Sequence, residues 1–137
     1  MERDDVLIAR TGNTVGKSYL HNEINAPAAF AGYLVRFQTN RSILLPKFLF
    51  QYTLSGIYRK WVESMSKVGA QPNINAAEYS KMVLPVPDIA EQKKIAAILN
   101  SMDEVIGKKQ DRISQTQSLK KSLMQDLLTG KVRVTVN

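Results

Sequence analysis

The sequence is short of the side chains on which most metal and redox chemistry depends. Among its 137 residues there is no cysteine and a single histidine, His21. The absence of cysteine excludes disulfide bonds, thiolate zinc sites and cysteine nucleophiles. The acidic residues show neither paired-carboxylate nor metal-ligand spacing, and no methyl-donor fingerprint or nuclease cluster is present. We therefore expect no catalytic residues, no metal and no cofactor, and we interpret His21 as a surface residue.

Long apolar runs are also missing. No segment approaches the roughly eighteen consecutive apolar residues of a membrane span. The N-terminus, Met1 to Asp5, opens acidic, unlike a signal peptide, so we expect a cytoplasmic protein. The stretch from Gly12 to Ser18 (GNTVGKS) has one residue too few between its glycines for a nucleotide P-loop, and ATP binding is rejected.

Positive charge is in excess. The chain has 19 Lys and Arg residues against 12 Asp and Glu residues, its formal net charge is +7, and both halves are basic. Such a balance favours polyanions as partners, although it also serves solubility alone. A hydrophobic content of 44% supports a packed core in a chain of this length.

The N-terminal part predicts a strand, a polar turn and a second strand. Val6–Ala9 is an apolar run typical of a buried strand. The turn after it places two cations and three small polar side chains around Gly12 and Gly16, where the backbone can approach a neighbour closely. These side chains are Arg10, Thr11, Asn13, Thr14 and Lys17. An ordinary polar hairpin is the alternative interpretation. The second strand of the core sheet is predicted at Ala28–Phe37.

A helix is predicted to open at Pro46 and to run over Lys47–Met65, because proline is favoured at the first helical position. Its aromatic and aliphatic residues recur at helical spacing, and we interpret them as core rather than as a base-stacking platform. Three cations lie near its C-terminal end: Arg59, Lys60 and Lys67. There they interact favourably with the helix dipole, and a DNA-binding role is equally open.

The connector at 67–75 is rich in glycine, proline and amides, and it ends the helix. Asn and Gln can pair bidentately with adenine, although amides in loops usually make turns. Asn75 and Glu78 form a capping box for a short helix through Lys81. Met82–Val86 is predicted as a last strand, at a sheet edge because of Pro85.

The last third predicts helix. Asp88 and Glu91 form a capping box at its start. Apolar residues then follow a four-three alternation: Ile95, Leu99, Met102, Ile106, Ile113, Leu123 and Leu127. Lys109, Thr116 and Lys120 interrupt this face, which favours packing on a partner over a regular zipper.

Internal signals predict that this helix is divided. Ser101 and Glu104 form a second capping box, so we expect a break near Asn100 and then a long helix to Thr129. Gly130 suits the left-handed residue that ends a helix. Lys131–Val136 alternates basic or polar with β-branched residues, which predicts a short edge strand or an extended tail.

The run LPVPDIAEQKKIAAILNSMDEVI, followed by SLKKSLMQDLLTGKVRV, resembles the conserved spacer region of the specificity subunit of type I restriction-modification enzymes. It joins a proline-ended strand, an Ala-Glu-Gln helix start, a spacer helix and a Leu-Leu-Thr-Gly-Lys ending in one order. Asp4–Gly12 (DDVLIARTG) is similar to a strand and turn in the middle of that family's target recognition domains. The likeness covers most of the chain and is weakest from Asn22 to Asn73.

The resemblance implies an α+β fold. A small mixed sheet with helices would form a partial target recognition domain in residues 1–87. Residues 88–137 would form the spacer region and a short tail, with the long helix used as a coiled-coil spacer. Family recognition domains carry a substantial segment before the strand matching Val6–Ala9, so we expect a recognition domain truncated at its N-terminal side.

The resemblance also implies a function. Specificity subunits select double-stranded DNA, whereas separate methylation and restriction subunits act on it. Gln71 and Asn73 become the best candidates for base contact. The full set of predicted DNA-binding residues is Arg10, Thr11, Asn13, Thr14, Lys17, Lys67, Gln71 and Asn73. We expect Arg10, Lys17, Gln71 and Asn73 to converge on one basic surface.

The intact subunit of the family carries two spacer helices packed antiparallel, whereas this chain has one. We therefore expect a homodimer, antiparallel through the helix Ser101–Thr129. The residues expected to be buried in it are Met102, Ile106, Ile113, Leu123 and Leu127. The alternative is a truncated helical interaction protein that binds methylation or specificity subunits without binding DNA.

Overall fold

A computed structural model describes residues 1–22, 28–65 and 72–135. Within these ranges, three strands come first: β1 (Val6–Ala9), β2 (Ser18–Leu20) and β3 (Leu34–Phe37). Four α-helices follow in the same described ranges: α1 (Pro46–Thr53), α2 (Gly56–Met65), α3 (Ala76–Tyr79) and α4 (Ile89–Leu128). This order of elements confirms the α+β class with a long C-terminal helix.

The strands form one sheet in the order β2-β1-β3. Both pairs are antiparallel, with Val6 opposite Leu20 on one side and Phe37 on the other. The prediction of a mixed sheet is therefore wrong for the described residues. All four residues of β1 are buried, because it is the central strand. The strand predicted at Ala28–Phe37 begins only at Leu34, and β2 was not predicted because its three residues carry no alternating apolar pattern.

His21 is 3% exposed, so its assignment to the surface is wrong. The ladder between β1 and β2 continues past Leu20. His21 N–H donates to Asp5 O at 2.9 Å, and Asp4 N–H donates to His21 O at 2.8 Å. The backbone pairing carries the imidazole into the interior whatever its own preference.

The core packs helices α1 to α3 against the sheet. Its fully buried members include Ile8, Leu49, Ile74 and Tyr79. The ring of Tyr79 meets Phe37 edge to face, with centroids 6.0 Å apart. The aromatic and aliphatic face predicted for the helix after Pro46 contributes to this core, which confirms its interpretation as packing.

The single helix predicted over Lys47–Met65 is divided into α1 and α2. At the break, Leu54 N–H donates to Gln51 O and Ser55 N–H donates to Tyr52 O, at 3.1 and 3.0 Å. The Ser55 hydroxyl then accepts the Tyr58 N–H at 3.2 Å and so caps α2. The break changes the phase of the apolar face, so Ile57, predicted on that face, is 68% exposed.

The capping box of Asn75 and Glu78 is confirmed at the start of α3, where each side chain accepts the other residue's backbone N–H. The strand predicted at Met82–Val86 is wrong, because these described residues form no strand. Pro85 lacks the N–H that a sheet ladder needs. Val83 O instead accepts the Tyr52 hydroxyl at 3.3 Å.

The predicted break near Asn100 is also wrong, because α4 is one helix of 40 residues. The side chains that suggested a second cap are used within the helix. The Asn100 amide donates to Glu104 Oε1 at 2.9 Å, and the Ser101 hydroxyl donates to Ile98 O at 2.7 Å. Gly107 stays helical at a cost of about 1 kcal/mol relative to alanine.

The two ends of α4 follow local chemistry. Asp88 Oδ1 accepts the Glu91 N–H at 2.8 Å, as its predicted cap requires. Gly130 has a φ of 73°, which confirms the left-handed residue predicted after the helix. The described residues 131–135 form no strand. Lys131 instead pairs with Asp126 at 2.9 Å, back on the last turns of the helix.

The chain divides into two compact units, Met1–Ala97 and Ile98–Asn137. The first turns of α4 belong to the first unit, where Gln92 and Ala96 are buried. The second unit consists of the rest of α4 and the tail. The functional division between residues 87 and 88 stays a prediction.

Candidate nucleic-acid interface

The polar turn after β1 is closed by backbone pairing and by two glycines. Ala9 N–H donates to Lys17 O at 2.8 Å, and Gly16 N–H donates to Ala9 O at 2.9 Å. Gly16 has a φ of 81°, a conformation that favours glycine. A Cβ atom at this position would lie 2.7 Å from Cγ1 of Val62 on α2. The turn can therefore pack this closely against α2 only because residue 16 is glycine.

The connector that precedes α3 is joined directly to this turn. Gly12 N–H donates to Pro72 O at 2.9 Å, and Ile74 N–H donates to Arg10 O at 2.8 Å. These bonds make an antiparallel bridge between Thr11 and Asn73. Residues 62 positions apart in sequence thus lie side by side, held by backbone hydrogen bonds.

The structure therefore brings together several of the predicted DNA-binding residues. Arg10, Thr11 and Asn73 are adjacent, and Asn13, Thr14 and Lys17 follow in the same turn. Asn13, Thr14, Lys17 and Asn73 are exposed, whereas Arg10 and Thr11 are half-buried. Lys67 and Gln71 lie outside the described residues. Contact with DNA stays a prediction for the whole set.

Two buried tyrosines donate hydrogen bonds to backbone carbonyls of the turn, a role that the sequence analysis did not predict. The Tyr79 hydroxyl donates to Ala9 O at 3.0 Å, and the Tyr58 hydroxyl donates to Gly16 O at 2.9 Å. Both carbonyls belong to the closed end of the turn, so the tyrosines tie it to α2 and α3. The helical spacing of Tyr58 indicated burial, but no local signal indicates where its hydroxyl donates.

Burial raises the pKa of Tyr58 above its ordinary value of 10.0, and the neighbouring Tyr79 adds to the increase. Burial also raises the pKa of Tyr79, and this increase outweighs the lowering by its hydrogen bonds. Both phenols are therefore neutral hydrogen-bond donors at neutral pH. They act as structural supports of the turn rather than as acids or bases.

The cation of β3, Arg36, is used inside the first unit. Arg36 Nε lies 2.7 Å from Oδ2 of the buried Asp5, which also accepts the Glu2 N–H at 2.6 Å. Burial on its own would raise the pKa of Asp5, but the Glu2 N–H and the Arg36 guanidinium hold that pKa below its usual value. Arg36 is thus neutralised locally by the carboxylates of Asp5 and Glu2.

The apolar face of α4 beyond Ala97 is exposed. The five residues predicted to bury in a dimer are each between 43% and 57% exposed: Met102, Ile106, Ile113, Leu123 and Leu127. Lys109, Thr116 and Lys120 are exposed among them. Within the part of the chain that the structure describes, nothing covers this face.

Other kinds of site find no support in the described ranges. Residues 1–22, 28–65 and 72–135 contain no group of three or more His, Asp or Glu side chains placed to hold a metal ion. None of the helices described there is long and apolar enough to cross a membrane.

The comparisons of this chain with known proteins agree with one another. The family described as "Type I restriction modification DNA specificity domain" matches residues 1–116. The type I restriction enzyme MjaVIII specificity subunit of Methanocaldococcus jannaschii is 28% identical over 98% of this chain and 32% of its own length. The StySPI specificity subunit of Salmonella potsdam is 26% identical over 97% of this chain and 29% of its own length.

The EcoKI specificity subunit of Escherichia coli is likewise 26% identical, over 94% of this chain and 28% of its own length. The chain therefore spans about a third or less of the length of these curated relatives. The family match covers the sheet, the polar turn, the connector and most of α4. The resemblance seen in the sequence is confirmed, and the chain belongs to the family of type I restriction modification DNA specificity domains.

Proposed function

We propose that this chain is a DNA-recognition and assembly module of a type I restriction-modification enzyme. In this proposal it performs no catalysis and directs separate methylation and restriction subunits to a DNA target. The observation that carries the proposal is the bridge between Thr11 and Asn73. It joins two polar connectors, distant in sequence, into a single exposed surface.

The residues of this surface divide by chemistry. Lys17 and Arg10 are suited to phosphate oxygens, which position a protein on DNA without reading sequence. Asn73 presents an exposed amide, which can pair with the N6 and N7 atoms of adenine in the major groove. Thr11, Asn13 and Thr14 add small polar groups beside them. We infer that Lys17 contributes mainly affinity and Asn73 mainly preference among sequences.

Binding to a pool of random-sequence DNA duplexes, measured against salt concentration, tests this proposal. Lys17→Gln should weaken binding to all duplexes and reduce the salt slope by about 0.9, the contribution of one phosphate contact. Lys94→Gln, an equal change of charge on an exposed residue of α4, is the matched control and should leave the slope unchanged. Asn73→Ala should change which duplexes are selected from the pool.

A second candidate function rests on the exposed apolar face of α4. In it the chain is a helical interaction protein that binds methylation or specificity subunits without binding DNA. The same titration separates the two candidates. If the wild-type chain does not bind duplex DNA at low salt, the first proposal is wrong and the second is favoured.

Assembly in the first proposal also uses the face of α4. We propose that it pairs as an antiparallel coiled coil with the same helix of a second chain, which makes a homodimer. The methylation and restriction subunits then join this dimer on DNA. Since duplex DNA is the proposed target, we place the protein in the cytoplasm.

A further inference from the structure

A groove of about 510 Å³ runs between the polar turn after β1 and the corner where α1 meets α2. Val15, Leu54 and Val62 supply an apolar floor. Lys17 comes from the turn and Arg59 from α2. The groove therefore joins Lys17, a predicted DNA-binding residue of the turn, to a helix whose cations the sequence analysis left open between a helix-dipole role and DNA binding.

The groove is positively charged. None of its lining residues is acidic, and both Lys17 and Arg59 are exposed. The ion pairs among the described residues involve neither of these two cations. Both charges are therefore available to an anionic ligand.

Two hydroxyl groups of the groove, those of Ser18 and Thr53, are occupied by hydrogen bonds within the protein. Thr53 Oγ1 donates to Phe50 O at 2.6 Å. Ser18 Oγ lies 2.6 Å from Thr53 Oγ1, and its proton must fill that bond because the Thr53 proton is already used. Neither hydroxyl has a proton left for a ligand. The Ser55 hydroxyl accepts the Tyr58 N–H and keeps its own proton for a ligand, whereas the positive charge of the groove comes from the two cations.

The stability of α2 does not explain why an arginine occupies position 59. The sequence suggested that Arg59 lies near a helix C-terminus, where a cation is favourable. It is instead the fourth residue of α2, which begins at Gly56, so it lies in the first turn. A cation in the first turn is opposed by the helix dipole. Its position is accounted for if Arg59 binds an anion in the groove.

We propose that this groove holds one sugar-phosphate unit of the bound DNA. The phosphate lies between the Lys17 ammonium group and the Arg59 guanidinium group, and the apolar face of the deoxyribose packs against Leu54 and Val62. DNA is favoured over an acidic peptide because Lys17 belongs to the same turn as Asn13 and Thr14, within the proposed DNA surface. This inference rests on the proposed DNA-binding function and adds Arg59 to it.

The test compares Arg59→Gln with Lys60→Gln in the full chain. The two residues are neighbours on α2, both are exposed, and only Arg59 lines the groove. Salt-dependent binding to the same random duplex pool should show a slope reduced by about 0.9 for Arg59→Gln and unchanged for Lys60→Gln. Thermal unfolding of both variants checks that the fold is retained.

The outcomes separate this inference from the function on which it rests. If the wild-type chain does not bind duplex DNA, the proposed function itself fails. If the wild-type chain binds and both variants keep its slope, only the groove assignment is overturned. Weaker association of Arg59→Gln with a methylation subunit, at an unchanged DNA slope, would also overturn it and identify the groove as a protein-binding site.

Discussion

Tyr58 shows how a single side chain supports a surface that it does not reach. Its ring is buried, and the centroids of the Tyr58 and Trp61 rings are 6.1 Å apart. Its hydroxyl donates to Gly16 O in the polar turn. Since burial raises its pKa, the folded protein keeps this proton at a pH where the unfolded chain loses it. Its contribution to stability is therefore present below pH 10 and decreases as the pH rises above that value.

We accordingly expect the free energy of unfolding to fall as the pH rises above about 10, by up to about 1.4 kcal/mol per pH unit for Tyr58. Tyr58→Phe has no proton to lose, so its stability should fall less steeply over the same range. Urea denaturation followed by the fluorescence of Trp61, the only tryptophan, measures both proteins. Equal slopes for the two proteins would contradict the assignment of this pH dependence to Tyr58.

At the scale of elements, Gln92 anchors the start of α4. Its side chain is 0% exposed. Its Oε1 accepts the Leu45 N–H at 2.8 Å, and its Nε2 donates to Ile43 O and Pro87 O at 2.8 and 2.7 Å. The one side-chain amide of Gln92 thus provides hydrogen-bond partners for backbone groups of the segment before α1 and for the carbonyl of Pro87, the residue before the Asp88 cap. These hydrogen bonds explain why a glutamine occupies the third position of the Ala-Glu-Gln helix start.

Gln92→Ala should therefore lower the free energy of unfolding of the first unit. The unpaired Leu45 N–H alone accounts for about 1–3 kcal/mol, and the cavity left by the side chain adds to it. Lys93→Ala, at the exposed neighbouring position, is the control and should have little effect. Urea denaturation read by Trp61 fluorescence measures both variants. If they are equally stable, Gln92 is not the anchor.

At the scale of the whole molecule, the proposed dimer rests on the apolar face of the second unit. Burying its five predicted residues would contribute roughly 1.5–3 kcal/mol for each fully buried side chain, before the cost of association. An antiparallel pair lets Lys109 and Lys120 approach Asp103, Glu104 or Asp111 of the partner. A parallel pair would place like charges at the same level.

Ile113→Asp should convert this dimer to a monomer, because it places a carboxylate in the middle of the apolar face. Gln115→Asp introduces the same side chain about 200° further round the helix and should leave the dimer intact. Sedimentation equilibrium at micromolar concentration distinguishes these states. A wild-type monomer would refute the dimer, and a dimeric Ile113→Asp variant would show that another surface makes the contact.

The sequence by itself determined the features whose causes are local. The apolar run of Val6–Ala9 predicted β1, Pro46 opened α1, and the capping box of Asn75 and Glu78 started α3. The ordered motifs of α4 led to the correct family. Each of these signals lies within a few neighbouring residues, so a short window contains all the chemistry that decides it.

Only the tertiary structure decided the features that depend on distant partners. The bridge of Thr11 to Asn73 and the hydroxyl of Tyr58 on Gly16 join residues that no local pattern relates. His21 was carried inside by the strand ladder. Backbone groups must find hydrogen-bond partners wherever the fold provides them, and that requirement outweighs individual side-chain preferences.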